Sequence, residues 1–213
     1  MAEYKFFDTP RYQDAEWHAT RSWAPHIEQV EHRLRLELAR GYVRYLCGFY
    51  PIKTVLDVGC GDGGLISLLA KDLPHIKFIG YDLAPANVGH GKKRLKNFPN
   101  ATTSLQNFRD AEISADLVIV TEVLEHLVDP HEFLEIINAD WLVASSPLNE
   151  HYDTDYKETP LHLWGWDFEG YKKIFNDSKK WVVWFSGLYQ HGGSPLETAN
   201  YTGTIFIVAR RQE

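Results

Sequence analysis

The chain has 213 residues, enough for one domain with a sizeable core. Twenty-two basic residues against twenty-nine acidic ones leave a net charge of −7, which argues against the broad positive field of a nucleic-acid binder. Cys47 and Cys60 match no disulfide or zinc spacing, and the opening MAEYKFFDTPRYQDAEW has no apolar run of signal or membrane length. A soluble cytoplasmic protein that does not use a membrane is expected.

Apolar Ile27, Val30, Leu34, Leu38, Tyr42, Tyr45 and Leu46 recur at helical spacing, so residues 25–47 are predicted to form an amphipathic helix. A buried strand is expected over 53–58, a turn over 59–64, and a helix over 65–72 that Pro74 stops. A second strand over 77–81 ends at Asp82, and Pro85 sits where a helix tolerates proline. Lys92, Lys93, Arg94 and Lys96 read as the solvated face of that helix. Strands are predicted over 102–105 and 116–120, then a helix over 131–139 capped by Asp129 and opened by Pro130, then a strand over 142–145 ended by Pro147. Beyond a polar loop come a helix over 168–175 and strands over 181–185 and 204–209, with no helix between these last two.

This alternation predicts an α/β fold with a doubly wound, mostly parallel sheet, closed by an antiparallel edge pair. The aromatic residues are unevenly spread. Only Phe78, Tyr81, Phe98, Phe108 and Phe133 lie between positions 51 and 140, while all seven tryptophans lie in the flanks. A flat cofactor-carrying middle walled by aromatic flanks is one reading, and flanks that supply core is the other.

VLDVGCGDGG falls between the first strand and its helix, where open α/β sheets bind ligands. Gly59, Gly61 and Gly64 satisfy the dinucleotide fingerprint, with Asp82 at the expected distance. The glycines alone therefore do not separate a nicotinamide dinucleotide, and an oxidoreductase, from an S-adenosyl ligand. Asp57 favours the second, because a carboxylate at the strand end suits a zwitterionic amino acid and repels a pyrophosphate. Asp82 can accept both hydroxyls of a ribose in either case.

VLDVGCGDGG, GYDLAP and ADLVIVTEVLEHLVDP, in this order and spacing, resemble the class I S-adenosylmethionine-dependent methyltransferases over residues 51–147. The resemblance implies a seven-stranded Rossmann-like sheet with an antiparallel last strand. It implies that Asp57 and the 59–63 loop (Gly59, Cys60, Gly61, Gly63) hold the methionine part, Asp82 the ribose, and Leu83 the adenine. Thr121 ends strand four on the same side. The family usually has an acid after strand three; LQNFRD offers Asn107, whose amide oxygen accepts the same bond, with the backbone of Phe108 beside it and Asp110 as competitor.

TEVLEHL follows strand four. A helix starting at once would place Glu122, Glu125 and His126 on one face, with His162 of PLHLWGWDFEGY as a fourth candidate. Glu122, His126 and His162 are expected to be an active-site wall that handles an acceptor's proton. All four residues are also candidate ligands for a divalent metal such as magnesium or manganese. This pattern resembles the small-RNA 3′-end 2′-O-methyltransferases, and ubiquinone-pathway O-methyltransferases carry a similar segment.

The expected activity is methyl transfer from S-adenosylmethionine to a hydroxyl oxygen of a small-molecule acceptor. Metal-dependent methylation of a nucleic-acid end and non-catalytic binding of an S-adenosyl ligand are the alternatives. Residues 1–213 are expected to be one domain. In it, 1–50 form a lid (Tyr12, Trp17, His18, Trp23) and a helix, 51–147 the cofactor-binding core, and 148–213 the acceptor side with loop 149–159 and Gly192-Gly193. Oligomeric state is left open.

Overall fold

The structure, a computed structural model, describes residues 4–6, 19–22, 24–148, 162–190 and 203–212. Its centre is a seven-stranded sheet. The strands are β2 (Thr54–Val58), β3 (Lys77–Asp82), β4 (Ala101–Leu105), β5 (Leu117–Thr121), β6 (Trp141–Leu148), β8 (Trp181–Gln190) and β9 (Gly203–Arg211), in spatial order β4-β3-β2-β5-β6-β9-β8. β9 runs antiparallel to both neighbours, and the other pairings are parallel. The predicted doubly wound sheet with its antiparallel last strand is therefore present.

The helices are α1 (Val30–Phe49), α2 (Gly64–Asp72), α3 (Pro85–Leu95), α4 (Pro130–Ile136) and α5 (Phe168–Asp177). β2, β5 and β6 are buried on both faces, which is why they read as continuous apolar runs. One core cluster joins Val118, Phe133, Tyr171 and Ile207; the other joins Val43, Leu69, Ile119 and Val208 under α1 and α2. Asp116 aligns the foot of the sheet. Its Oδ2 accepts from the Lys53 and Thr54 amides, both at 2.8 Å, and from Thr54 Oγ1 at 2.9 Å.

Several boundaries differ from expectation. α1 starts five residues after Pro25, behind a 3-10 turn over His26–Glu28, and runs on to Phe49. α4 stops at Ile136, well short of 139. Pro147 does not end β6. β5 stops opposite Ser145, so no ladder bond to β5 is broken by its missing N–H, and β6 continues against β9 to Leu148. Asp129 caps α4 as expected, accepting from the Glu132 amide at 2.9 Å.

A second, two-stranded sheet was not foreseen. β1 (Tyr4–Phe6) pairs antiparallel with β7 (Trp164–Trp166), in register Tyr4 to Trp166. Tyr12, Trp17, His18, Trp23, loop 149–159 and Gly192-Gly193 lie outside the described residues. Among the described residues, no helix is long and apolar enough to cross a membrane.

Candidate active site

The glycine turn leaves β2 with Gly59, Gly61 and Gly63 all at positive φ (75°, 55° and 71°), a region glycine enters without penalty. Gly61 faces open space, while a Cβ at Gly59 would collide with Val123. Five of the turn's amides are engaged within the protein. Gly59 and Cys60 donate to the Tyr81 carbonyl, Gly61 to Asp82 Oδ2, Gly63 to the Cys60 carbonyl and Gly64 to Asp62 Oδ1. A pyrophosphate relies on such N–H groups. Three buried carboxylates surround the turn instead: Asp57, Asp62 and Asp82.

Asp62 is paired with Arg94 at 2.6 Å. Asp82 accepts from Gly61 and Ala84 amides at 2.8 Å and from Asn87 Nδ2 at 3.1 Å, so its Oδ1 is engaged twice and its Oδ2 once. Asp57 differs: its Oδ1 is buried with no hydrogen-bond partner. Burial, then the Asp82 charge, push its carboxyl up to about 8. An unmet buried acceptor beside an open glycine turn fits the ammonium end of an amino-acid-bearing ligand.

At the end of β5 the chain does not turn helical at once. Glu122 sits at φ 56°, in the left-handed region, and a single 3-10 turn follows over Leu124–His126. The expected shared face is thereby corrected. Glu122 points to α1 and β6, where its Oε2 pairs with Arg35 at 3.0 Å and its Oε1 accepts from Ser145 Oγ at 2.7 Å. Glu125 is buried, accepts from Ser146 Oγ at 3.0 Å on Oε2, and has no partner on Oε1. Burial, then the Glu122 charge, raise its carboxyl well above the usual range, with His162 opposing.

The segment before β7 closes over this turn. The Leu163 amide donates to the Glu125 carbonyl at 2.7 Å, and Trp164 Nε1 to the Leu127 carbonyl at 2.8 Å. These bonds bring the His162 ring edge-to-face with His126 at 4.8 Å. One oxygen of Glu125 and one ring nitrogen from each histidine lie within 4.8 Å of one another. Three of the four candidate metal ligands are thus assembled, and Glu122 is not among them. An oxygen–nitrogen–nitrogen set with a spare buried oxygen fits a divalent ion.

Asn107 closes a local turn, its Oδ1 accepting from the Arg109 amide at 3.0 Å, and Phe108 packs edge-on against Phe133 at 4.9 Å. Leu83 follows β3 half-buried, and Thr121 ends β5 opposite Ser145. The sequence reading missed Arg35, Ser146 and Tyr171, and did not foresee the strand that carries Trp166. Trp166 Nε1 donates to Ser146 Oγ at 2.7 Å, completing a chain to Glu125, and the buried Tyr171 hydroxyl has no partner. Only the even spacing of WGW hinted at the strand that carries Trp166.

Residues 56–142 match the family profile described as methyltransferase domain. Ubiquinone biosynthesis O-methyltransferase of Hahella chejuensis is 37% identical over 83 residues, which cover 38% of this chain and 35% of that protein. The N-methyltransferase NodS of Bradyrhizobium japonicum, solved with S-adenosyl-L-homocysteine, superposes with a TM-score of 0.67 at 18% identity, covering 95% of this chain and 98% of that one. The methyltransferase domain of a bacterial Hen1 (CtHen1-CN) superposes with a TM-score of 0.59 at 25% identity, covering 82% of this chain and 99% of that one. Strand order and glycine turn give the chain the class I, Rossmann-like methyltransferase fold, and its residues 56–142 match the methyltransferase-domain profile. The chain spans about a third of the Hahella protein's length.

Proposed function

We propose that the chain transfers a methyl group from S-adenosylmethionine to a hydroxyl oxygen of a small-molecule acceptor. The observation that carries this reading is the glycine turn: amides engaged within the protein, and beside them the buried, unpartnered Oδ1 of Asp57. That environment disfavours a pyrophosphate, and so a nicotinamide dinucleotide, and favours a ligand carrying an ammonium and a sulfonium. In this reading Asp57 with Gly59, Cys60, Gly61 and Gly63 holds the methionine part. Asp82 and Leu83 lie beside the nucleoside, with Asn107, Phe108 and Thr121 completing the site. Residues 1–213 work as one domain: 1–50 form lid and helix, 51–147 the cofactor core, and 148–213 the acceptor side. The free cysteines fit a cytoplasmic setting.

Bound S-adenosylmethionine would supply an electrophilic methyl carbon. The residues of this chain orient the acceptor and remove its proton as the carbon–oxygen bond forms and the carbon–sulfur bond breaks. His126 and His162 take that proton, their rings being half-buried and in contact. Glu125 holds this histidine pair from the protein side, itself held by Ser146 and Trp166.

A second reading is favoured by the Glu125–His126–His162 cluster, which would hold magnesium or manganese and supply Lewis-acid activation of a vicinal diol. The net charge of −7 counts against a nucleic-acid end as that diol. Calorimetry separates these readings. Saturable S-adenosylhomocysteine binding that Asp57→Asn weakens is expected, and its absence would overturn the first reading. Manganese titration with that ligand present then decides the second: binding lost in both Glu125→Gln and His162→Ala supports a metal site, and no binding in wild type refutes it. Ligand binding without turnover on any hydroxyl acceptor would favour a non-catalytic binder.

A further inference from the structure

α1 carries a second apolar stripe besides the one it buries. Tyr42, Tyr45 and Phe49 run down the helix beside β8. Tyr42 stacks on Phe185 at 5.3 Å, Tyr45 on Phe49 at 4.7 Å and on Trp184 at 5.8 Å. A bulge between Val183 and Phe185 leaves Trp184 unpaired, so that it and Phe185 both turn to the α1 side. Yet the rings are not covered: Phe49 is 72% exposed, Trp184 47%, Tyr45 46%, Phe185 42%, and Val182 beside them 51%.

The same place carries an open sheet edge. β8 is the last strand in the sheet order, and among the described residues nothing pairs with its outer side. Its sequence WVVWFSGLYQ holds no charge and no proline, the usual guards of a free edge. Trp141, in contact with Trp184 at 5.7 Å, also lines an adjoining hollow of about 450 Å³ with Tyr50 and Arg210. The surface thus has a face, a recess and an edge.

We infer that this surface is the interface with a second copy of the chain, two-fold related, with the two β8 edges antiparallel. Taking roughly 200 Å² per ring, the four aromatic rings alone leave about 400 Å² in solvent. Val182 and the main-chain edge bring the patch towards the ~800 Å² per partner of a standard interface. Charge points to a self-contact. The four rings and Val182 carry none, so they do not repel their twin, and the charged residues of the adjoining hollow, Asp116, Asp140, Arg210 and Arg211, are of both signs. Lys179, Lys180, Arg210 and Arg211 gather at the Trp181 end of β8. Antiparallel edges hold the two cation groups about 30 Å apart, a strand length, beyond the Debye length of about 8 Å.

The test is sedimentation equilibrium of the full chain at tens of micromolar, on wild type, Phe49→Glu and Val182→Lys. Circular dichroism and S-adenosylhomocysteine binding are recorded alongside. Wild type is expected to sediment at twice the chain mass, and each substitution to weaken dimerisation by about tenfold or more with ligand binding unchanged. Both sites are exposed, and if one variant does not fold the other decides. A wild-type monomer throughout, with the patch then serving another protein or a lipid surface, would overturn the inference. So would a dimer that neither substitution weakens.

Discussion

Arg35 and Glu122 meet at 3.0 Å, joining the first helix to the carboxyl end of β5 with side chains only 11% and 17% exposed. The pair holds Glu122 in its left-handed conformation, which a glutamate does not otherwise favour. It also leaves Arg35 Nε buried without a partner. Removing one partner strands the other charge in a nearly closed site, so Glu122→Ala is expected to destabilise by about 2–4 kcal/mol. The double variant with Arg35→Ala should lose less than the two single losses added. Urea unfolding of the four-member cycle measures the coupling, and simple additivity would refute it.

Asp57 places stability and binding in opposition. Its carboxyl is raised from an ordinary 3.8 to about 8, so its contribution is fully present below pH 4 and is lost as the pH rises towards 8. Thermal unfolding without ligand should show wild type losing stability relative to Asp57→Asn across that window. The same substitution should weaken S-adenosylhomocysteine by about 10- to 100-fold, because an ionised acceptor to an ammonium is lost. Wild-type affinity should rise with pH up to about 8. An asparagine variant that matches wild type in both measurements would remove Asp57 from the site.

Ser146 links Trp166 Nε1 to Glu125 Oε2, and all three residues are buried. Ser146→Ala leaves an indole N–H and a carboxylate oxygen unmet, at a cost of about 1–3 kcal/mol. Ser146→Thr, which keeps the hydroxyl, should restore most of it. Denaturant midpoints at constant slope provide the check.

Asp72 clamps α2 to α1 through a bidentate contact with Arg40 at 2.6 and 2.7 Å. The Arg40 bond holds this carboxyl below its ordinary 3.8, so its stabilisation is present above that pH and is lost as the pH falls through the lowered value. Asp72→Asn should cost about 1 kcal/mol at pH 7, and the gap should close as the pH falls through the lowered value. A gap that persists in acid would assign the loss to packing.

The parallel core was readable because β2, β5 and β6 bury both faces and show as apolar runs between turn residues, and because Asp129-Pro130 and the glycine turn mark their boundaries locally. Long-range contacts decided what was not readable. Pro147 looks like a strand end until β9 is placed beside β6. Glu122 looks like one more ligand until Arg35, far away in sequence, is brought against it. The left-handed turn at Glu122 has no local signature, since glutamate is not a residue that seeks it. The aromatic flanks divide: Trp166 and Trp181 are core, as the plainer reading held, while Trp184 and Phe49 stay at the surface.

The pairing of β1 with β7 sets an order of assembly. During synthesis Tyr4 to Phe6 are made well before Trp164 to Trp166, the residues they pair with. By then β2 to β6 are complete and the glycine turn can close on Asp82. Three paired residues must also offset the closure of a loop spanning most of the chain. The strands that carry the glycine turn and Asp82 are therefore complete while the segment around His162 is still being made, and β8 and β9 join the sheet only after it.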